Sequence, residues 1–352
     1  AGLKAPLMTA TAWGGACTGG LLPVMGGYCD APWAREIEKL PPNVNYVFTP
    51  ERNDANIGSD FGKKETAGKK EEFPYLMAEL GGGLQPTKHR RPVASAADIG
   101  AMSLVKLGCG ANLLGYYMYH GGSNPEGRNT TLQETKKTGS WNELPAYNYD
   151  FQAPVGEYGQ VRESCREIKL LSMFLHDFGS GLCTMKPEFP SPVMDDAGNL
   201  ETLRTCVRHN GERGYLFVNN YQRLYPMKEH RNAVLHAKIG TNELYYPARD
   251  IRNGDYFFYP FNMPIGESAE IVTALATPLC ILHRRNEKIY VFYSDTEPMY
   301  RIKGDLGRNK IVTLSRREAL DAWKVEINGE EYLLITGGEI REQKGQIILR
   351  GI

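Results

Sequence analysis

The sequence predicts an α/β region over residues 1–177 followed by an all-β region over residues 178–352. Two observations carry that division. In the first region apolar runs end in glycine-rich polar turns, with a helical stretch between two of them. In the second, short alternating or β-rich runs are separated by Asn-Gly turn signals at 210–211, 253–254 and 328–329.

In chain order, strands are expected at Pro6 to Ala10, Asn45 to Phe48, Tyr75 to Ala78 and Leu113 to Tyr117. Between the last two, Ala97, Ile99, Met102, Leu104 and Val105 recur at mixed three and four spacing, so Ala94 to Leu107 is expected to be a helix closed by Cys109-Gly110. Strand, helix and strand make a β-α-β unit. From Gly159 to Leu175 the pattern turns helical again, with Ile168, Leu171 and Phe174 on one face. After the Gly-Ser-Gly at 179–181, runs such as Leu203 to Val207, Tyr215 to Val218, Tyr256 to Phe261, Ile289 to Tyr293 and Tyr332 to Ile335 suit antiparallel strands of a β-sandwich.

The segment Phe73-Pro74-Tyr75-Leu76-Met77-Ala78-Glu79-Leu80-Gly81-Gly82-Gly83 carries the most chemistry. An apolar run delivers a carboxylate to its end, and an unpaired carboxylate in apolar surroundings costs several kcal/mol. Triple glycine then lets another group come close. Glu79 is either a working carboxylate at a strand end or the first solvated residue of a loop. A second apolar and aromatic run ends the same way, at Tyr117-Met118-Tyr119-His120-Gly121-Gly122-Ser123-Asn124.

Forty-one basic residues balance forty-one acidic ones, which points away from nucleic acid or an anionic membrane as the main partner. The dense basic run Lys88-His89-Arg90-Arg91 reads as a solvated helix entrance rather than a phosphate site, with ordering of the loop after Glu79 kept as an option. Seven scattered cysteines form no Cys-x-x-Cys pair, and the seven histidines no ligand-type cluster, so no metal is expected. No phosphate-loop or dinucleotide fingerprint occurs, so no cofactor is expected either. No segment has the apolar length of a membrane span.

Three motifs in order resemble the glycoside hydrolase family 35 β-galactosidases: Ala78-Glu79-Leu80-Gly81-Gly82-Gly83, then Tyr117 to Asn124, then Tyr149-Asp150-Phe151-Gln152-Ala153-Pro154-Val155-Gly156-Glu157-Tyr158-Gly159. Met8 to Ala16 and Pro23 to Trp33 resemble that family's fifth barrel strand and the loop after it. The resemblance implies the C-terminal half of a (β/α)8 TIM barrel, strands five to eight, followed by the β-sandwich region. It implies a retaining exo-glycosidase acting on terminal β-galactosides of oligo- or polysaccharides. Glu79 is then the nucleophile, and Tyr117 and Tyr149 are phenols around the sugar. Trp13 is a candidate sugar-stacking residue, with a wall-forming role equally open.

The family's acid is the glutamate of an Asn-Glu pair at the end of barrel strand four, a strand outside the resemblance, which covers strands five to eight. Glu157 lies beyond the eighth strand and is not its substitute. The chain starts at Ala1 without an initiator methionine or signal pattern, so the first half of the barrel is expected upstream and this piece alone is expected to be inactive. Family members acting on polysaccharides are often exported, which gives a lean in localisation. Oligomeric state is left open. Two alternatives stand: a non-catalytic carbohydrate-binding protein on a decayed barrel, and a family enzyme of different sugar specificity.

Overall fold

The computed structural model describes residues 4–10, 21–31, 33–35, 39–52, 73–125, 127–128, 135–140, 143–343 and 346–351. Two compact units emerge. The first comprises Ala1–Cys165, Phe189–Arg204 and Tyr221–Met227; the second comprises Arg166–Glu188, Thr205–Asn220 and Lys228–Ile352.

In the first unit, β1 (Met8–Ala10), β2 (Leu22–Gly27), β3 (Leu76–Leu80) and, after α1 (Ala96–Gly108), β4 (Leu113–Tyr116) form one parallel sheet in that order. Gly26 stands opposite Glu79, Gly27 opposite Leu80, and Leu80 opposite Tyr116, so the C-terminal ends of three neighbouring strands lie level. The start of α1 is set by a capping box. The Ser95 hydroxyl accepts the Asp98 N–H at 3.1 Å and the Asp98 carboxylate accepts the Ser95 N–H at 2.7 Å, meeting donors that a helix start leaves unpaired. Ile99, Met102 and Val105 are fully buried.

The expected half (β/α)8 barrel is not what these residues form. Among the described residues a single helix, α1, connects consecutive strands of the sheet, and there are three α-helices against eight separate sheets. The reason is local. The described connection after β2 is rich in proline (Pro41, Pro42, Pro50), which withholds backbone donors and blocks a helix interior. Its asparagines bond the backbone instead. Asn43 accepts the Asn45 N–H at 2.8 Å and starts a 3-10 turn over Val44–Tyr46. That turn occupies the place of the strand expected at Asn45 to Phe48. The second strand of the sheet is β2, which the sequence reading assigned to a loop.

A short ribbon follows, of β5 (Gly122–Ser123) paired with β6 (Asn148–Tyr149). The helix α2 (Glu163–Leu182) starts in the first unit and continues in the second, where Leu170 and Met173 pack with Leu279, Cys280, Leu282 and Val291. Its apolar side therefore serves the second unit's core, not the closure of a barrel.

The second unit is built of strands. A six-stranded sheet includes Tyr256–Ile265 between Gly214–Asn219 and Ala269–Ala274, both paired with it antiparallel. A three-stranded sheet is mixed, with Lys288–Ser294 antiparallel to Thr277–His283 and parallel to Lys310–Ser315. The Asn328-Gly329 turn joins Ala322–Ile327 to Glu330–Ile335, both turn residues having positive φ, 54° and 78°. The aromatic run Phe257 to Phe261 is buried core.

Candidate active site

Glu79 is the last residue but one of β3 and is half-buried. Its Oε1 accepts the Tyr28 hydroxyl at 2.7 Å. Tyr28 follows directly on β2, and the strand register explains how it reaches the carboxylate: the Gly81 N–H donates to the Gly27 carbonyl at 2.7 Å, which sets Tyr28 beside Gly81. A side chain at 81 would stand in the ring's place, since a Cβ there would lie 2.5 Å from Tyr28 Cδ1. The carbonyl of Tyr28 accepts the Asn43 and Asn45 amides at 2.9 and 2.8 Å, so the 3-10 turn holds the phenol from behind. Trp33 meets the Tyr28 ring edge-on, with centroids 5.4 Å apart.

The other two glycines make room for the far side of the site. The Met118 carbonyl lies against Gly82, and the Phe151 and Gln152 carbonyls lie against Gly83. Phe151 and Gln152 both have φ of 53°, a left-handed conformation that non-glycine residues rarely adopt. The strain is held by hydrogen bonds. Gln152 Nε2 donates to the Leu84 and Pro92 carbonyls at 3.0 and 2.8 Å, and Asp150 pairs with Arg162 at 2.7 Å.

Tyr117 follows β4, and its N–H donates to the Leu80 carbonyl at 2.9 Å. Its hydroxyl hydrogen-bonds that of Tyr149, which β6 supplies. Tyr149 is stacked on Phe151 with centroids 4.4 Å apart. The charge of Glu79 is felt by both Tyr28 and Tyr117, and Tyr28 also registers Tyr117 and Tyr149. Glu79, Tyr117 and Tyr149 thus share one electrostatic neighbourhood with Tyr28. Trp13 lies outside the described residues.

Burial pushes the Glu79 carboxyl above its ordinary value, and the Tyr28 hydrogen bond only partly opposes it. A nucleophile that must be ionised calls for the reverse, donors that hold its pKa down. One donor does not outweigh the desolvation. Among the described residues no second carboxylate contributes to the shift. Burial, then Glu79, drives the Tyr28 phenol far above its usual range. Burial and the bond to Tyr149 raise Tyr117 as well. Both phenols therefore stay protonated, as donors, at any ordinary pH.

Tyr28 and Trp33 were not singled out as site residues in the sequence, although the signal exists: Leu21 to Met25 is an apolar run that ends in Gly26-Gly27-Tyr28, the same pattern that marks Glu79. Glu157 accepts from Ser123 and Asn148 across the β5–β6 ribbon. His120 and Asn124 bond neighbouring backbone carbonyls and shape the turn. In the basic run, Arg90 pairs with buried Asp30 at 2.7 Å. Tyr221 and Arg223 are packing residues of the same unit, with Arg223 between Asp30 and Asp98 and the Tyr221 hydroxyl on Asp98 at 2.6 Å.

Among the described residues no three His, Cys, Asp or Glu side chains are placed to hold a metal, and no helix is long and apolar enough to cross a membrane. No protein-family model matches the chain, and no curated protein matches it.

Proposed function

We propose that the first unit carries the nucleophile side of a retaining glycosidase site for terminal β-galactosides, with Glu79 as nucleophile and Tyr117 and Tyr149 as phenols that contact the sugar. The observation behind this reading is the half-buried carboxylate at a parallel strand end, bonded by the Tyr28 phenol and felt by Tyr117, whose hydroxyl meets that of Tyr149. The β-galactoside specificity rests on the three sequence motifs alone. Fold-level likeness plays no part in it.

In such a reaction the ionised Glu79 attacks the anomeric carbon, the bond to the aglycone oxygen breaks with its electron pair, and a glycosyl ester forms. The Tyr28 hydroxyl bonds one carboxylate oxygen, Oε1, and orients the group. The phenols of Tyr117 and Tyr149 bond ring hydroxyls. Water then hydrolyses the ester. A proton for the departing oxygen needs a second carboxyl about 5–5.5 Å from the nucleophile, and none among the described residues registers at Glu79. Aglycones that leave without a proton bypass that need.

The test is 2,4-dinitrophenyl 2-deoxy-2-fluoro-β-galactoside, which should add one fluorogalactosyl group to the Glu79 peptide, located by mass spectrometry. A label on another residue, or undiminished labelling of Glu79→Gln, overturns the assignment. Among the described residues no second carboxylate contributes to the Glu79 shift, which leaves a second reading open, sugar binding without turnover. Saturable galactose binding with no labelling would select it.

A further inference from the structure

Beside Tyr28 lies a cavity of ≈ 330 Å³. Its apolar walls include Trp33, Leu40, Pro41, Pro42 and Leu224, and Tyr28, whose hydroxyl bonds Glu79, also lines it. The polar groups that line it are already engaged. Asp30 takes Arg90 at 2.7 Å, Arg223 at 3.1 Å and the Ala31 N–H at 2.7 Å. The Asn43 amide donates to the Tyr28 carbonyl at 2.9 Å, and its oxygen accepts the Asn45 N–H at 2.8 Å. A polyol would find little there to bond, whereas an apolar ring would find aromatic and proline faces.

The rim carries a second, independent observation. Leu224 is 54 % exposed and has φ of 62°, a conformation that a glycine or asparagine would hold without strain and a branched side chain rarely takes. It sits third in the Gln222–Tyr225 turn, closed by the Tyr225 N–H on the Gln222 carbonyl at 3.1 Å. The turn is anchored on both flanks. Arg223 is buried between Asp30 and Asp98, and the Tyr225 hydroxyl donates to the Leu40 carbonyl at 2.7 Å. A strained, exposed leucine at a cavity mouth points from backbone to ligand.

We propose that this cavity binds an apolar, ring-bearing small molecule, stacked on Trp33 and covered at its edge by Leu224. An apolar cavity of about 150 Å³ takes benzene. Twice that volume suits a fused or substituted ring.

The probe is 2-naphthol, titrated by calorimetry against the full chain. Saturable binding is expected, about tenfold or more weaker in Trp33→Ala and in Leu224→Asp, the scale of one lost aromatic or apolar contact, and unchanged in Glu79→Gln. No saturable binding to the wild type overturns the proposal. So does equal affinity in Leu224→Asp, whose exposed position leaves folding intact. Galactose, titrated in parallel, reports on the Glu79 site alone. Galactose binding without naphthol binding removes the cavity proposal and leaves the hydrolase reading; Trp33-dependent naphthol binding without galactose binding does the opposite.

Discussion

Gly81→Ala tests how the carboxylate and its phenol are assembled. The added Cβ would stand 2.5 Å from Tyr28 Cδ1 and 3.1 Å from Cε1. The ring cannot easily give way, because Tyr28 is buried and its carbonyl is held by both Asn43 and Asn45. Overpacking of this kind costs about 1–3 kcal/mol. If the ring swings off Glu79, a hydrogen bond to a charged group is lost as well, about 1.5–3 kcal/mol. Against this, alanine lowers the entropy of the unfolded chain, which returns about 0.4–1 kcal/mol. The net expectation is a loss of about 2–5 kcal/mol.

Urea denaturation gives the stability, and a double-mutant cycle with Tyr28→Phe tells the two contributions apart. If Gly81→Ala acts by moving the hydroxyl, its cost should shrink in the Tyr28→Phe background, with a coupling of about 0.5–3 kcal/mol. Strict additivity would mean that the alanine is absorbed elsewhere. A Gly81→Ala protein as stable as the wild type would refute the close approach of Tyr28 to the strand end altogether.

The raised Glu79 pKa has a pH signature. A carboxyl whose folded value lies above its unfolded value contributes stability that is fully present below the unfolded value and is lost as pH rises through the folded one. Glu79→Gln mimics the neutral form, so its advantage over the wild type should be absent in acid and grow towards neutral pH in thermal melts; a pH-independent difference would count against burial as the cause. In a separate test, Arg223→Met leaves Asp30 and Asp98 buried without their shared partner. Breaking a buried pair costs about 3–5 kcal/mol, with the lower end expected because Arg90 and Tyr221 remain on the two carboxylates. Urea melts showing under about 1 kcal/mol would mean the network is dispensable.

How much of this was legible in the sequence depends on how far each feature's cause lies along the chain. The capping of α1 is a matter of Ser95 and Asp98, three residues apart, and a helix was expected there. The strand carrying Glu79 announced itself through an apolar run that stops on a carboxylate and three glycines. β2 carries the same signature but contains Pro23, which demotes a strand in a sequence reading, although proline is tolerated near a strand start. Conversely, Tyr46-Val47-Phe48 looks like a strand, and only the side chains of Asn43 and Asn45 turn the chain there into a 3-10 turn. The barrel expectation needed a helix after every strand, and in the described stretch after β2 Pro41, Pro42 and Pro50 interrupt one. Glycines 81 to 83 could be known to admit something close. What they admit is Tyr28, Met118 and the strained pair Phe151-Gln152, each brought there by pairing the sequence does not encode nearby. Tyr28 reaches Glu79 across 51 positions, and Arg223 reaches Asp98 across 125. Local chemistry therefore marks where a reactive side chain stands, and the groups that set its charge state enter only with the strand register.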